Sequence, residues 1–130
     1  MNSINIKKEI RGQFEDVIVR LTAELKAQGF GILSRIDLHE KFKEKLDKEI
    51  LPVSILGACN PALAYEAYQA NTDVAALLPC NAVVRDLGKG QISIELAKPT
   101  SLMEMLKDQK LVEAAKAADK SLFAVLEKLH

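Results

Sequence analysis

The chain has 130 residues, 48% apolar and 28% charged, a balance that excludes a disordered tract and a fibrous repeat, and no run reaches the roughly 20 apolar residues that span a bilayer. Its 18 basic residues are matched by 18 acidic ones, so no net field draws it to nucleic acid, an anionic membrane or an acidic partner. This length fits one domain over 1–130, and such a domain buries roughly two-thirds of the surface its unfolded chain exposes, enough for a core without staples.

In chain order, Ile4, Ile6 and Ile10 alternate with polar neighbours and predict a half-buried strand that ends at Arg11-Gly12. Phe14, Val17, Ile18, Leu21 and Leu25 then recur at helical spacing, one apolar stripe that runs until Gly29 stops it. "FGILSRIDL" predicts a strand with Phe30, Ile32, Ile36 and Leu38 on one side, Ser34 between them, and Gly31, Leu33, Arg35 and Asp37 on the other. Asp37 and Glu40 have capping-box spacing for a narrow-faced helix carrying Phe42, Leu46 and Ile50, with Glu44 and Lys48 as a favourably ordered pair on its solvated side. "VSILGAC" is apolar on both alternating faces apart from Ser54, the pattern of an interior strand covered on two sides.

Asn60 is a good N-cap and Pro61 suits a first helical turn, so "PALAYEAYQA" predicts a helix ending near Asn71, with Tyr65 and Tyr68 on an amphipathic packing side. Thr72-Asp73 turns the chain. "VAALLPCNAVVRD", "LGKG" and "QISIELA" predict two long strands and a hairpin, with Pro79 marking a bulge or a break in pairing. Pro99 ends the second strand, and two helices follow, a short one over Leu102 to Leu106 and a longer one carrying Leu111, Val112, Ala115, Leu122, Leu126 and Leu129. The order β-α-β-α-β-α-β-β-α-α predicts a single α+β domain with helices on one sheet face.

Chemistry is sparse. "MNSINIKKEIRGQF" lacks the apolar region of a signal peptide, and two cysteines without one fit a reducing compartment, so a cytoplasmic location is expected. The two cysteines share a local pattern, each at one end of an apolar strand and followed by asparagine: Cys59-Asn60 and Cys80-Asn81. If their strands are neighbours, two thiols and two amides meet at one sheet end as a disulfide switch, half of a thiolate metal site or a polar seam. Beside a helix N-terminus an anionic Cys59 is favoured, whereas apolar burial would leave it inert. C-x20-C spacing without a C-x2-C pair does not describe a zinc site. His39, the one histidine that might help, reads as a surface residue and His130 as a frayed terminus. Gly88-Lys89-Gly90 joins two strands, where a phosphate loop leads from a strand into a helix. Glu40, Glu44 and Asp47 sit on the charged helix with nothing apolar to tune them.

"GFGILSRIDL", "ILGACNPALAYEA" and "LLPCNAVV", in this order, resemble the bacterial and archaeal family known as domain of unknown function 302. The resemblance runs from about Phe14 through Leu106 and is strongest at Gly57 to Pro61 and Leu78 to Asn81; where the family usually has Asp-Pro after the last strand, this chain has Lys98-Pro99. It implies an α+β fold similar to the TATA-binding-protein-like sheet with packed helices, and a homodimer, but no activity or cofactor. The long helix from about Asp108 reads as an addition to that core.

Three functions follow as expectations: a homodimeric module binding a small molecule or partner, with Cys59, Asn60, Cys80 and Asn81 at its pocket floor; a thiol redox or soft-metal protein using Cys59 and Cys80; or motifs that only shape the fold.

Overall fold

Alternation of buried and exposed side chains builds the first strand, β1 (Asn5–Arg11), with Ile6 and Ile10 turned to the core in the computed structural model, which describes residues 4–130. Met1–Ser3, the head of the expected domain, lie outside the described residues. Ile4 precedes the strand and is exposed. α1 (Phe14–Ala27) buries Val17, Ile18, Leu21 and Leu25, the stripe its spacing predicts. β2 (Gly31–Asp37), α2 (Leu38–Leu46), β3 (Val53–Cys59) and α3 (Pro61–Ala70) follow, then a 3-10 segment over Thr72–Leu77, β4 (Cys80–Gly88), β5 (Gln91–Ala97), α4 (Pro99–Glu104) and α5 (Gln109–Glu127).

The five strands form one antiparallel sheet in the order β1-β5-β4-β3-β2. Residues paired across strands share a face, so Ile6, Leu96, Ala82 and Leu56 form one row and Ile10 and Ile92 another on the helix-covered side. That side packs against the α1 stripe and against Ala118, Leu122, Val125 and Leu126 of α5, with Leu129 just beyond it. Each Leu or Ile fully buried there contributes about 1.5–3 kcal/mol relative to an exposed one. A smaller cluster of Val74, Met103, Leu111 and Val112 joins the 3-10 segment to α4 and α5.

On the opposite face the β1, β5 and β4 rows carry Lys7, Glu9, Ser93, Glu95 and Arg85. Glu95 is buried there and takes Arg85 at 2.6 Å and Lys7 at 3.3 Å. Burial alone would raise its carboxyl pKa, but hydrogen bonds from Arg85 and Lys7 outweigh it and hold the group below its ordinary range.

Several sequence expectations change. β2 is a sheet edge with a bulge between Ile32 and Ser34, so Ile32 pairs with Ala58 on the core side while Ser34 and Ile36 pair with Gly57 and Ile55 on the other. The predicted single face of Phe30, Ile32, Ser34 and Ile36 is therefore split, and Leu38 already belongs to α2. Asp37 stands at the N-cap of α2 but makes no side-chain cap; its carboxylate accepts Ser54 Oγ at 2.6 Å and Arg35 Nε at 2.8 Å, stronger partners than an end amide. Asp47 in the left-handed region ends α2, which leaves Lys48 and Ile50 outside the helix; the ion pairs formed are Lys43–Asp47, Lys43–Glu49 and Lys41–Glu44. The strand predicted from Val74 begins only at Cys80, because Asn71 accepts the Asp73 amide and starts the 3-10 segment that buries Val74. Pro79, after a cis bond from Leu78, marks the break before β4.

Candidate functional site

β3 and β4 are neighbours, so the two Cys-Asn segments lie side by side at one sheet end. Ala58 pairs with Cys80 and Gly57 with Asn81, which puts Cys59 one step diagonally from Cys80, with its side chain on the opposite sheet face by strand alternation. Both cysteines are free and half-buried, and both line one cavity of about 70 Å³. Phe30, Leu63, Val74, Met103 and Ala118 supply apolar wall from the α1–β2 turn, from α3, from the 3-10 segment, from α4 and from α5. A neighbouring cleft of about 150 Å³ between α3 and α5 shares Leu63, Ala67, Met103 and Ala118 with the cavity.

Local sequence explains how this end is built. Asn60 caps α3, its Oδ1 accepting the Leu63 amide at 3.2 Å, as Asn-Pro predicts. The Asn60 amide also lies against the α1–β2 turn, where a Cβ on Gly29 would come 3.1 Å from Nδ2; Gly29 holds φ +86, a conformation that suits glycine. Gly57 admits no side chain, because a Cβ there would meet the Ser34 hydroxyl and lie 2.8 Å from Pro79 Cγ. Gly57 and Pro79, one from each motif, thus interlock.

Asn60 and the two cysteines line the cavity; Asn81 does not. By strand alternation Asn81 belongs with Gly57 on the face away from the helices, and it is exposed, bordering only a void of about 10 Å³ beside Cys80. His39 is far off: its Nδ1 lies 3.0 Å from the Val53 nitrogen, at the opposite end of β3, about 20 Å along the strand from Cys59. It is therefore engaged with backbone, not a free surface residue. His130 is not frayed either, since its carbonyl accepts Arg20 Nη2 at 2.6 Å. The expected packing of Tyr65 and Tyr68 fails: α3 buries none of its residues, and both rings are exposed on its outer side.

Burial pushes the Cys80 thiol up to about 11, with Cys59 and Asp119 adding negative potential. At neutral pH it is a protonated, apolar-facing sulfur and not a nucleophile. Asp119 itself is committed, accepting Thr100 N at 3.0 Å on one oxygen and Thr100 Oγ1 at 2.6 Å on the other. Among the described residues no three His, Cys, Asp or Glu side chains form a metal-holding group. The wall residues Met103 and Ala118 escaped sequence reading because nothing local marks them: they meet the cysteines only through the tertiary fold.

No helix among the described residues is long and apolar enough to cross a membrane. The model of the family described as domain of unknown function DUF302 matches residues 6–129, a span that takes in α5. A crystal structure of an uncharacterized conserved protein DUF302 from Bacillus stearothermophilus is 32% identical, with a TM-score of 0.91 over 99% of this chain and 100% of that one. No functionally curated protein matches.

Proposed function

This chain belongs to the DUF302 family, whose description names no activity, and we propose from its site that it is a binding module holding a compact ligand against Cys59 and Cys80. The observation that carries this reading is the cavity of about 70 Å³ that both cysteines line. Its size sets the ligand: typical organic pockets are about 300–1,000 Å³, so this one suits an ion or a few heavy atoms. The other motif residues have structural tasks, Gly57 and Pro79 in their interlock and Asn60 at the cap, whereas the two cysteines border open space. Thiol exchange between Cys59 and Cys80 finds less support, because strand alternation turns the two side chains to opposite sheet faces. Free, half-buried thiols fit a cytoplasmic setting. Homodimerisation, implied by the family resemblance, fits a sheet face on which Ile36 stands exposed beside Ile55; sedimentation tests it.

A native mass spectrum of freshly purified protein, set against its denatured mass, tests the pocket. Extra mass lost on denaturation, together with protection of both thiols from alkylation, is the expected result. A clean mass, with both thiols alkylated at one rate whatever is added, defeats the reading.

A further inference from the structure

The wall of the cavity names a ligand class, an inference that rests on the pocket reading above. The cavity and the cleft of about 150 Å³ beside it meet at Leu63, Ala67, Met103 and Ala118, so the two spaces lead from the surface between α3 and α5 inward to Cys80 at the start of β4. Only the cleft has charged residues in its wall, Glu66 of α3 and Lys110 of α5. In the cavity, Asn60 Oδ1 already accepts the Leu63 amide, and burial keeps the Cys80 thiol protonated. Such a wall offers a water or an ion no set of partners, and apolar cavities of this kind stay dry and take up apolar molecules. The cleft is framed by small side chains, Ala67 and Ala70 from α3 with Ala114, Ala115 and Ala118 from α5. Helices that face each other with alanines can close to about 8 Å, yet here space is left between them and α3 buries no residue.

We propose that this space binds one straight alkyl chain of a medium-chain fatty acid or alcohol, with the tail end in the cavity beside Cys80 and the polar head at the mouth of the cleft. Two adjoining spaces at different depths suit a flexible chain better than one rigid ring. Met103 stands where they meet, and its unbranched side chain adapts to let the chain pass. The cavity takes the last few carbons and the cleft takes the rest. Glu66 and Lys110 set one charge of each sign at the mouth, so affinity resides in the tail and not in the head.

The test is calorimetric titration of the full chain with hexanoate, octanoate, decanoate and decanol below their aggregation limits. One ligand per chain is expected, and each added methylene should tighten binding by about fourfold until the space is full. Either head supports the proposal, and the tighter of decanoate and decanol identifies the source of the chain. Ala67→Leu fills the junction from the half-buried side of α3 and is expected to weaken decanoate binding by about 10-fold or more, with a urea midpoint no lower than that of wild type. Tyr65→Ala, on the outer side of α3, should bind as wild type does. Decanoate should move the methyl resonance of Met103 and leave that of the exposed Met105 in place. The proposal is overturned if affinity is flat in chain length, if Ala67→Leu binds decanoate as wild type does, or if the Met103 methyl does not respond. Refusal of every alkyl probe alongside another bound mass that protects both thiols overturns the chain while sparing the pocket; refusal with no bound mass overturns both.

Discussion

The ring of Pro79 lies over Gly57, so that a Cβ on Gly57 would come 2.8 Å from Pro79 Cγ and also collide with the Ser34 hydroxyl. This contact locks together β3 and the residue that precedes β4, just where the two cysteines stand. Gly57→Ala is expected to cost about 1–3 kcal/mol, the usual penalty of overpacking. Adding Ser34→Gly should recover only part of that loss, because the proline ring remains. Urea unfolding of the single and double variants measures it, and an unchanged midpoint for Gly57→Ala would contradict the close approach.

Asn60 joins a cap to a poorly anchored helix, so its loss should be local. Asn60→Ala removes the bond to the Leu63 amide and is expected to destabilise α3 by about 1 kcal/mol, while Asn60→Asp keeps an acceptor. Because α3 buries no residue, faster amide exchange should appear over residues 61–70 while amides of β4 and β5 keep wild-type protection. Uniform acceleration across the sheet would show that α3 opens only with the whole fold.

Glu95 links stability to acid. Its carboxyl pKa is lowered from 4.5, since Arg85 and Lys7 overcome the opposing effect of burial. A group depressed in the folded state contributes stability above its unfolded pKa and loses it as pH falls through the folded value. Both basic partners are largely exposed, which weakens the pairing, so Glu95→Gln should cost only about 1 kcal/mol at pH 7. The gap between wild type and variant should close below about pH 4.5. Denaturant midpoints measured from pH 7 to pH 3 check this, and a gap that widens toward acid would reverse the assigned sign.

The element order was legible because period and packing agree in most segments. Val17, Ile18, Leu21 and Leu25 fall on one helical stripe, and Ile6 with Ile10 on one strand face, so local pattern and core face coincide. Legibility failed where a single residue or a side-chain bond overrides the pattern. The bulge before Ser34 reverses the parity of β2, and Asn71 converts an apolar run that resembles a strand into a 3-10 segment. The shared Cys-Asn pattern pointed to two segments that pairing of β3 with β4 brings to one sheet end, yet Asn81 falls on the face opposite Cys80 because β4 alternates. Met103 carried no signal, since the two cysteines with which it lines the cavity lie on strands more than 20 residues away in sequence.

Asp119 holds the start of α4, and α4 carries Met103 to the cavity. Its carboxylate accepts both the Thr100 amide and the Thr100 hydroxyl, while Thr100 is buried, so the two ways of breaking the contact differ. Thr100→Val removes the hydroxyl bond and leaves the amide bond, an expected loss of about 1 kcal/mol. Asp119→Ala removes both acceptors and strands the Thr100 amide and hydroxyl, an expected loss of about 2–3 kcal/mol. A double-mutant cycle should show coupling of about 1 kcal/mol from the hydroxyl bond alone. If Thr100→Val proved the more damaging change, the carboxylate would not be the anchor of α4. If the cycle showed no coupling, the hydroxyl bond would contribute nothing and Met103 would be positioned by packing against Val74 and Leu111 instead.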